Sequence, residues 1–193
     1  MKKALLLTTL LAAAAGIATQ AQAESATYAI DPSHTFVTFE AKHFGTSTLR
    51  GRWDKKSGTV TLDKAAKTGK VEFTIDMASI STGTGPFDGH LKSKDFFAVE
   101  EFPTAKFVGD KFTFNGDKVT SVTGELTLRG KTNPVTLTAT GFGCYDNPML
   151  KREVCGGDFE TTIQRSQWGI NYALPAVTPD SIRLLVQVEA IKQ

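Results

Sequence analysis

Three histidines and two cysteines, with a few isolated arginines and aspartates, are the residues whose types could do chemistry here. His34, His43 and His90 raise the question of a bound metal. His34 and His43 lie on what reads as one strand, where nine extended residues separate them by roughly 30 Å. Their odd spacing also turns them to opposite faces. His43 and His90 could meet, but two imidazoles alone make a poor site, so no metal is expected. Gly130-Lys131-Thr132 looks like the end of a phosphate loop, yet Glu125 stands where the first glycine is required and no helix follows. Gly83-Thr84-Gly85 fails as a dinucleotide fingerprint because Asp88 replaces the third glycine. Asp31, Ser33 and His34 are neighbours on an extended segment, which opposes the convergence a triad needs. Asp31-Pro32-Ser33 reads instead as a turn. No catalytic residues are assigned, no cofactor is expected, and the chain is not expected to be an enzyme.

Arg50, Asp88, His90, Arg165 and Trp168 remain as unusual polar or aromatic residues. Arg165 continues the parity of Phe159, Thr161 and Ile163, so it points inward or ends its strand as a solvated cation. His43 continues the parity of Val37, Phe39 and Ala41. It is either a hydrogen-bonded core histidine or a contact for the polar head of a ligand. Cys144 and Cys155 flank the turn-rich segment from Tyr145 to Val154. In an oxidising compartment that spacing reads as a disulfide closing a hairpin loop.

These side chains must be carried by strands, because the dominant pattern has period two. Val37, Phe39 and Ala41 alternate with Thr38, Glu40 and Lys42. Val71, Phe73, Ile75 and Met77 alternate with Glu72, Thr74 and Asp76. Leu126 with Leu128, Val135 with Leu137, and Ile182 through Ala190 repeat the pattern. Such alternation specifies half-buried antiparallel strands. Shorter strands are expected at residues 58–62, 105–108, 111–114, 119–123 and 159–165. Asn115-Gly116-Asp117 suits a tight hairpin. Residues 63–69 and Thr132-Asn133-Pro134 read as polar breaks. Pro86 to Lys94 is the one candidate helix after the leader.

About eight antiparallel strands leave an up-and-down barrel or a two-sheet sandwich. Long strands and the lack of an immunoglobulin-type cysteine and tryptophan pattern favour the barrel. An eight-stranded barrel is either packed solid or wide enough for one small ligand. Here the inward set is apolar, so a ligand, if admitted, is a long apolar molecule.

Met1-Lys2-Lys3, the uncharged run from Leu5 to Ala18 and Ala21-Gln22-Ala23 together read as a signal peptide cleaved after Ala23. The run is too short for a span of roughly 20 residues, so no stable membrane insertion is expected. Residues 24–193 read as one exported domain, periplasmic or secreted. Lysine plus arginine number 22 and aspartate plus glutamate 20, and the excess is Lys2 and Lys3. The remainder is balanced and lacks the basic footprint of nucleic-acid or anionic-membrane binding.

Several blocks, in order, resemble a known pattern. They are Asp31-Pro32-Ser33-His34-Thr35 with Val37-x-Phe39 and His43-Phe44-Gly45, then Phe87-Asp88-Gly89-His90-Leu91 through Phe97. Phe102-Pro103-Thr104-Ala105-Lys106-Phe107, Gly124 through Val135, and Arg165-Ser166-Gln167-Trp168-Gly169 follow. Each block is weak, but their joint order resembles the YceI-like family of bacterial polyisoprenoid-binding proteins. The resemblance implies a lipocalin-like antiparallel barrel with an elongated apolar tunnel, an isoprenoid ligand such as a quinone tail or polyprenyl phosphate, and a possible homodimer. On that reading the tunnel is lined by Val37, Phe39, Phe73, Ile75, Met77, Leu126, Leu128, Leu137, Phe159, Ile163, Leu184 and Val186. His43 and Arg165 stand at the head end, and residues 81–95 gate the mouth. Trp168 occupies a position where the family commonly carries Phe, and so is expected to narrow or cap the tunnel. The alternatives are a structural or adhesive barrel without ligand, and an enzyme on an isoprenoid lipid using His43 or His90.

Overall fold

The computed structural model describes residues 25–193; the expected signal peptide, residues 1–23, lies outside them. Its strands are β1 (Ala26–Ile30), β2 (Phe36–His43), β3 (Ser47–Trp53), β4 (Lys56–Asp63), β5 (Thr68–Asp76), β6 (Ile80–Ser81), β7 (Thr104–Asn115), β8 (Lys118–Leu128), β9 (Lys131–Asn147), β10 (Arg152–Gln164) and β11 (Ser181–Lys192). One α-helix, α1 (Gly85–Lys92), follows β6, and short 3-10 turns occupy Met77–Ser79 and Arg165–Trp168.

All recorded pairings are antiparallel. The strand order β1-β4-β5-β7-β8-β9-β10-β11 is closed by β1 on β11, where Tyr28 faces Lys192 and Ile30 faces Ala190. This is the eight-stranded barrel that the long strands favoured over a sandwich. β11 is shared: its end pairs with β1 and its middle with β2, Val186 opposite Val37. β2 in turn pairs with β3, and β3 with the two-residue β6. Thus β1 with β2, and β3 with β4, are each one wall segment broken by a short irregular stretch. Such breaks let a twisted sheet bend round on itself.

The period-two reading places the faces correctly. In β2, Val37, Phe39 and Ala41 are buried while the residues between them are not. The hairpin at Gly116-Asp117 joins β7 to β8, and α1 begins with Pro86 in its first turn. Three expectations on element bounds are corrected. Thr132-Asn133-Pro134 is not a break but the start of β9, with Pro134 opposite Glu125. The chain turns instead at Arg129 and Gly130, both at positive φ (48° and 70°), the geometry a two-residue hairpin prefers. Residues 105–108 and 111–114 are one strand with a register shift at Asp110. The strand ending near residue 165 stops at Gln164, and Arg165 opens a 3-10 turn.

Cys144 and Cys155 are cross-strand neighbours on β9 and β10 and form the expected disulfide. It staples a part of the sheet that has little else. Pairing of β8 with β9 ends at Ser121 and Thr138, so β9 beyond Thr138 has β10 alone as neighbour. Replacing both cysteines with serine should cost about 3 kcal/mol, from the entropy of the released loop. Urea unfolding measures this, and hydrogen exchange should show the loss concentrated between residues 140 and 156.

Candidate ligand-binding tunnel

The inward faces do not meet in the middle. They enclose two chambers. The first, of about 370 Å³, lies at the end of the barrel carrying α1. The second, of about 140 Å³, lies toward the β9–β10 hairpin. Val37, Ile75, Leu126 and Leu184 line both, so the two chambers adjoin at these four aliphatic side chains. An interior packed to the usual density leaves no voids much larger than a water molecule. This interior is hollow, which removes the packed-core alternative.

The structure places every sequence-derived tunnel residue on this lining. Phe39, Met77, Leu128 and Ile163 face the first chamber with the four shared residues. Phe73, Leu137, Phe159 and Val186 face the second. Ala41, Val71, Val135, Ile182, Val188 and Ala190, which period two also marks, line the chambers as well; what it missed near the first chamber comes from α1 and from irregular segments. Phe87 and Leu91 of α1, Phe96 and Phe97 after it, and Ile170, Tyr172 and Val177 near the end of the chain all line the first chamber. A cluster of apolar residues within a loop was the available signal, and it carries no direction.

The polar groups are distributed unequally. His43, His90, Arg165, Tyr172 and Thr178 line the first chamber. The second is bounded by no charged side chain and no histidine. A ligand with one polar end therefore has one orientation that avoids burying that end unpaired, a cost of at least about 1 kcal/mol. His43 and His90 do not share a partner: His43 packs on Phe44, while His90 Nε2 lies 3.2 Å from Asp95 and its ring sits edge-on to Phe96 and Tyr172.

Arg165 is 4% exposed. Its Nε donates to Pro179 O at 3.2 Å, and its two terminal nitrogens donate to Ile170 O at 3.2 Å, Tyr172 O at 2.9 Å, Thr178 Oγ1 at 2.8 Å and Thr178 O at 3.4 Å. It thereby binds the carbonyls of residues 170–179 into one loop. Burial presses the guanidinium's pKa downward, with the charge of Asp180 opposing. Among the described residues no carboxylate comes within ion-pair distance of it. The inward parity is thus correct, and the role it exposes is an architectural one.

Trp168 is corrected. It is 1% exposed and donates its indole N–H to Leu126 O at 3.0 Å, but it lines neither chamber. It pins the Arg165–Trp168 turn to β8 from outside the lumen and does not cap it.

Asp180 fixes the other end of the loop. Ser166 donates to it twice, from Oγ at 2.6 Å and from its backbone at 2.8 Å. The Ser166 hydroxyl lowers the Asp180 pKa below its ordinary 3.8, against desolvation, with the Ser166 amide and Arg165 adding to the lowering. A carboxylate depressed in the folded state contributes stability that is complete above its unfolded pKa and lost as pH falls through the folded one. Below about pH 4 the loop should open before the barrel does, read as faster hydrogen exchange at residues 165–180. D180N should remove that pH dependence.

An antiparallel barrel that is hollow, apolar and polar-tipped at one end defines a lipocalin-like class of fold. The comparisons with known proteins narrow this. The pattern of the YceI-like domain matches residues 28–190, and the chain belongs to that family. A UPF0312 protein of Pseudomonas aeruginosa is 38% identical over 186 residues, covering 95% of this chain and 96% of that one. A UPF0312 protein of Pseudomonas putida is 34% identical over 95% of each. Among solved structures, Burkholderia cenocepacia BcnA superposes with a TM-score of 0.70 at 25% identity, over 83% of this chain and 99% of that one. A polyisoprenoid binding domain from Saccharophagus degradans, implicated in plant cell wall breakdown, has the same fold at 13% identity, with a TM-score of 0.62 over 88% of this chain and 100% of that one.

Proposed function

We propose that this chain is an exported, non-catalytic carrier that sequesters one long isoprenoid lipid, of the quinone-tail or polyprenyl phosphate type, within the barrel. The observation that carries the reading is the pair of apolar chambers stacked along the barrel, which share Val37, Ile75, Leu126 and Leu184 as wall. Buried apolar area is worth roughly 25 cal/mol per Å², and a polyprenyl tail exposes a long strip of it in water. Only part becomes affinity, since ordering a flexible tail opposes binding. The tail would pass these four side chains and end in the second chamber. The head would stay in the first, near His43, Arg165 and Thr178. Phenylalanine and methionine on the wall suit a branched, unsaturated chain. The solved polyisoprenoid binding domain of like fold supports this choice of ligand. The leader at residues 1–23 supports export.

The test is to purify the protein natively from its own host, extract it with organic solvent and identify the lipid by mass spectrometry. One apolar adduct per chain is expected. Protein that is reproducibly empty, and that takes up no polyprenol from detergent micelles, would sink the reading.

A further inference from the structure

The barrel end away from α1 is tied together by charge. Three turns lie there: residues 64–67 between β4 and β5, 116–117 between β7 and β8, and 148–151 between β9 and β10. Lys67 Nζ of the first turn lies 2.6 Å from Asp117 Oδ1 of the second. Lys64 Nζ of the same first turn lies 2.7 Å from Glu153 Oε2, just past the third. Ion pairs of this kind, partly open to water, add little to stability. Their weight here is geometric, because they link the first turn to the strands on either side of it.

Tyr28 is fastened to the second of these pairs. It lines the second chamber and is 1% exposed. Its hydroxyl donates to Glu153 Oε1 at 2.5 Å, so one carboxylate holds the phenol with one oxygen and Lys64 with the other. Desolvation acts to raise the Glu153 pKa, but the Lys64 and Tyr28 hydrogen bonds outweigh it and the net shift is downward. The acceptor is therefore charged at neutral pH, and a hydrogen bond to a charged acceptor is about twice as strong as one between neutral groups. The strand pair that carries Glu153 is stapled as well: a Glu153 carboxylate oxygen and the sulfurs of the Cys144–Cys155 bridge all lie within 4.8 Å of one another. The phenol cannot swing aside without leaving a buried hydroxyl unpaired, which costs more than the net worth of the bond itself. Phe73, Phe107, Phe112, Phe142 and Phe159 line the same chamber, and none of them has a polar handle by which it could be held in this way.

We infer that Tyr28 sets the length of tail that the barrel accepts: its tethered ring is the stop against which the far end of a prenyl chain rests. The inference rests on the carrier reading above. The polar groups that suit a head, His43, His90 and Thr178, line only the first chamber, so the tail leads and the second chamber receives its end. Each isoprene unit that enters buries apolar area and adds affinity. Once the end has met Tyr28, a further unit has no wall left to cover and stays at the mouth in water. Affinity should thus climb with tail length and then level off, at a length set by this one side chain.

The test is a length series. Farnesol, geranylgeraniol and successively longer polyprenols, presented in detergent micelles, compete with a bound fluorescent probe on the full mature protein. Wild type should show a climb followed by a plateau. Tyr28→Ala opens the far wall and should move the plateau to longer chains. It should bind the first polyprenol beyond the wild-type plateau at least about tenfold more tightly than wild type does, a part of what one buried isoprene unit supplies. Farnesol, short enough for the first chamber alone, should change far less. Tyr28→Leu keeps an apolar side chain in the wall, so the shift can be read even if the alanine variant does not fold. Tyr28→Phe, which keeps the ring and loses only the tether, should fall between wild type and leucine. A plateau that stays in place in a folded alanine or leucine variant overturns the inference. So does a wild type whose affinity keeps climbing to the longest polyprenol. In both cases the wild type still binds, and the carrier reading stands. A wild type that binds no polyprenol of any length sinks that reading, and the length limit with it.

Discussion

Replacing Arg165 with methionine should destabilise the barrel by about 3 kcal/mol or more, because hydrogen bonds from a charged donor are worth roughly 1.5–3 kcal/mol each. Methionine keeps much of the volume and removes every donor. The carbonyls of Ile170, Tyr172, Thr178 and Pro179 then lose the group that gathers them. The loop that walls the first chamber would come free of the barrel end. Urea unfolding should show the lost stability, and lipid uptake should fail at temperatures where the variant is still folded. Lysine should not rescue it, since a single ammonium cannot reach in the planar fork directions that the guanidinium uses. A methionine variant within about 0.5 kcal/mol of wild type, the range of ordinary surface changes, would show that the loop is held by something else.

The second large effect is expected where the chambers adjoin. Leu184→Trp puts a bulky ring where four aliphatic side chains stand between the two chambers, the point that a threaded tail would have to cross. A tail that can no longer enter the second chamber loses the burial of at least one isoprene unit. At about 0.8 kcal/mol per buried CH₂, this is about 3 kcal/mol, or roughly a hundredfold in affinity. A long polyprenol should show that loss by competition for a bound fluorescent probe. Farnesol, short enough for the first chamber alone, should lose far less affinity, since Leu184 is one residue of that chamber's wall and the rest of it is unchanged. Equal losses for both lengths would mean that the chambers do not act in series.

Period two was enough to locate the lumen, because in a closed barrel every inward position of every regular strand faces the same space. Val37, Phe73, Leu126 and Leu184 come from four different strands and all reach it. The signal thinned where the wall is built otherwise. In β3 the inward positions are Leu49, Gly51 and Trp53. Gly51 is small because a side chain there would strike the Phe39 ring and Thr82, so packing removed the apolar mark that periodicity needs. Pro134 read as a breaker because proline lacks a ladder donor. It is tolerated because pairing of β9 with β10 starts only at Thr138, leaving Pro134 a neighbour on one side. The loop of residues 169–180 defied prediction for a different reason. Its order comes from the buried Arg165 guanidinium, the Asp180–Ser166 anchor and the backbone hydrogen bond from Phe44 to Val177, and none of these has a local signature in the residues it orders.

The pairing of β1 with β11 has a consequence for how the molecule is made. Every other neighbour in the ring is joined by a hairpin or by one intervening segment, but this seam, like the pairing of β2 with β11 beside it, unites the first described strands with the last. A nascent polypeptide emerging in order has no ring to close until Ser181–Lys192 arrives. Until then it is an open, curling ribbon with two raw borders, which is the slow and aggregation-exposed way to fold. Loss of the final strand would leave no smaller version of the vessel, only a gutter.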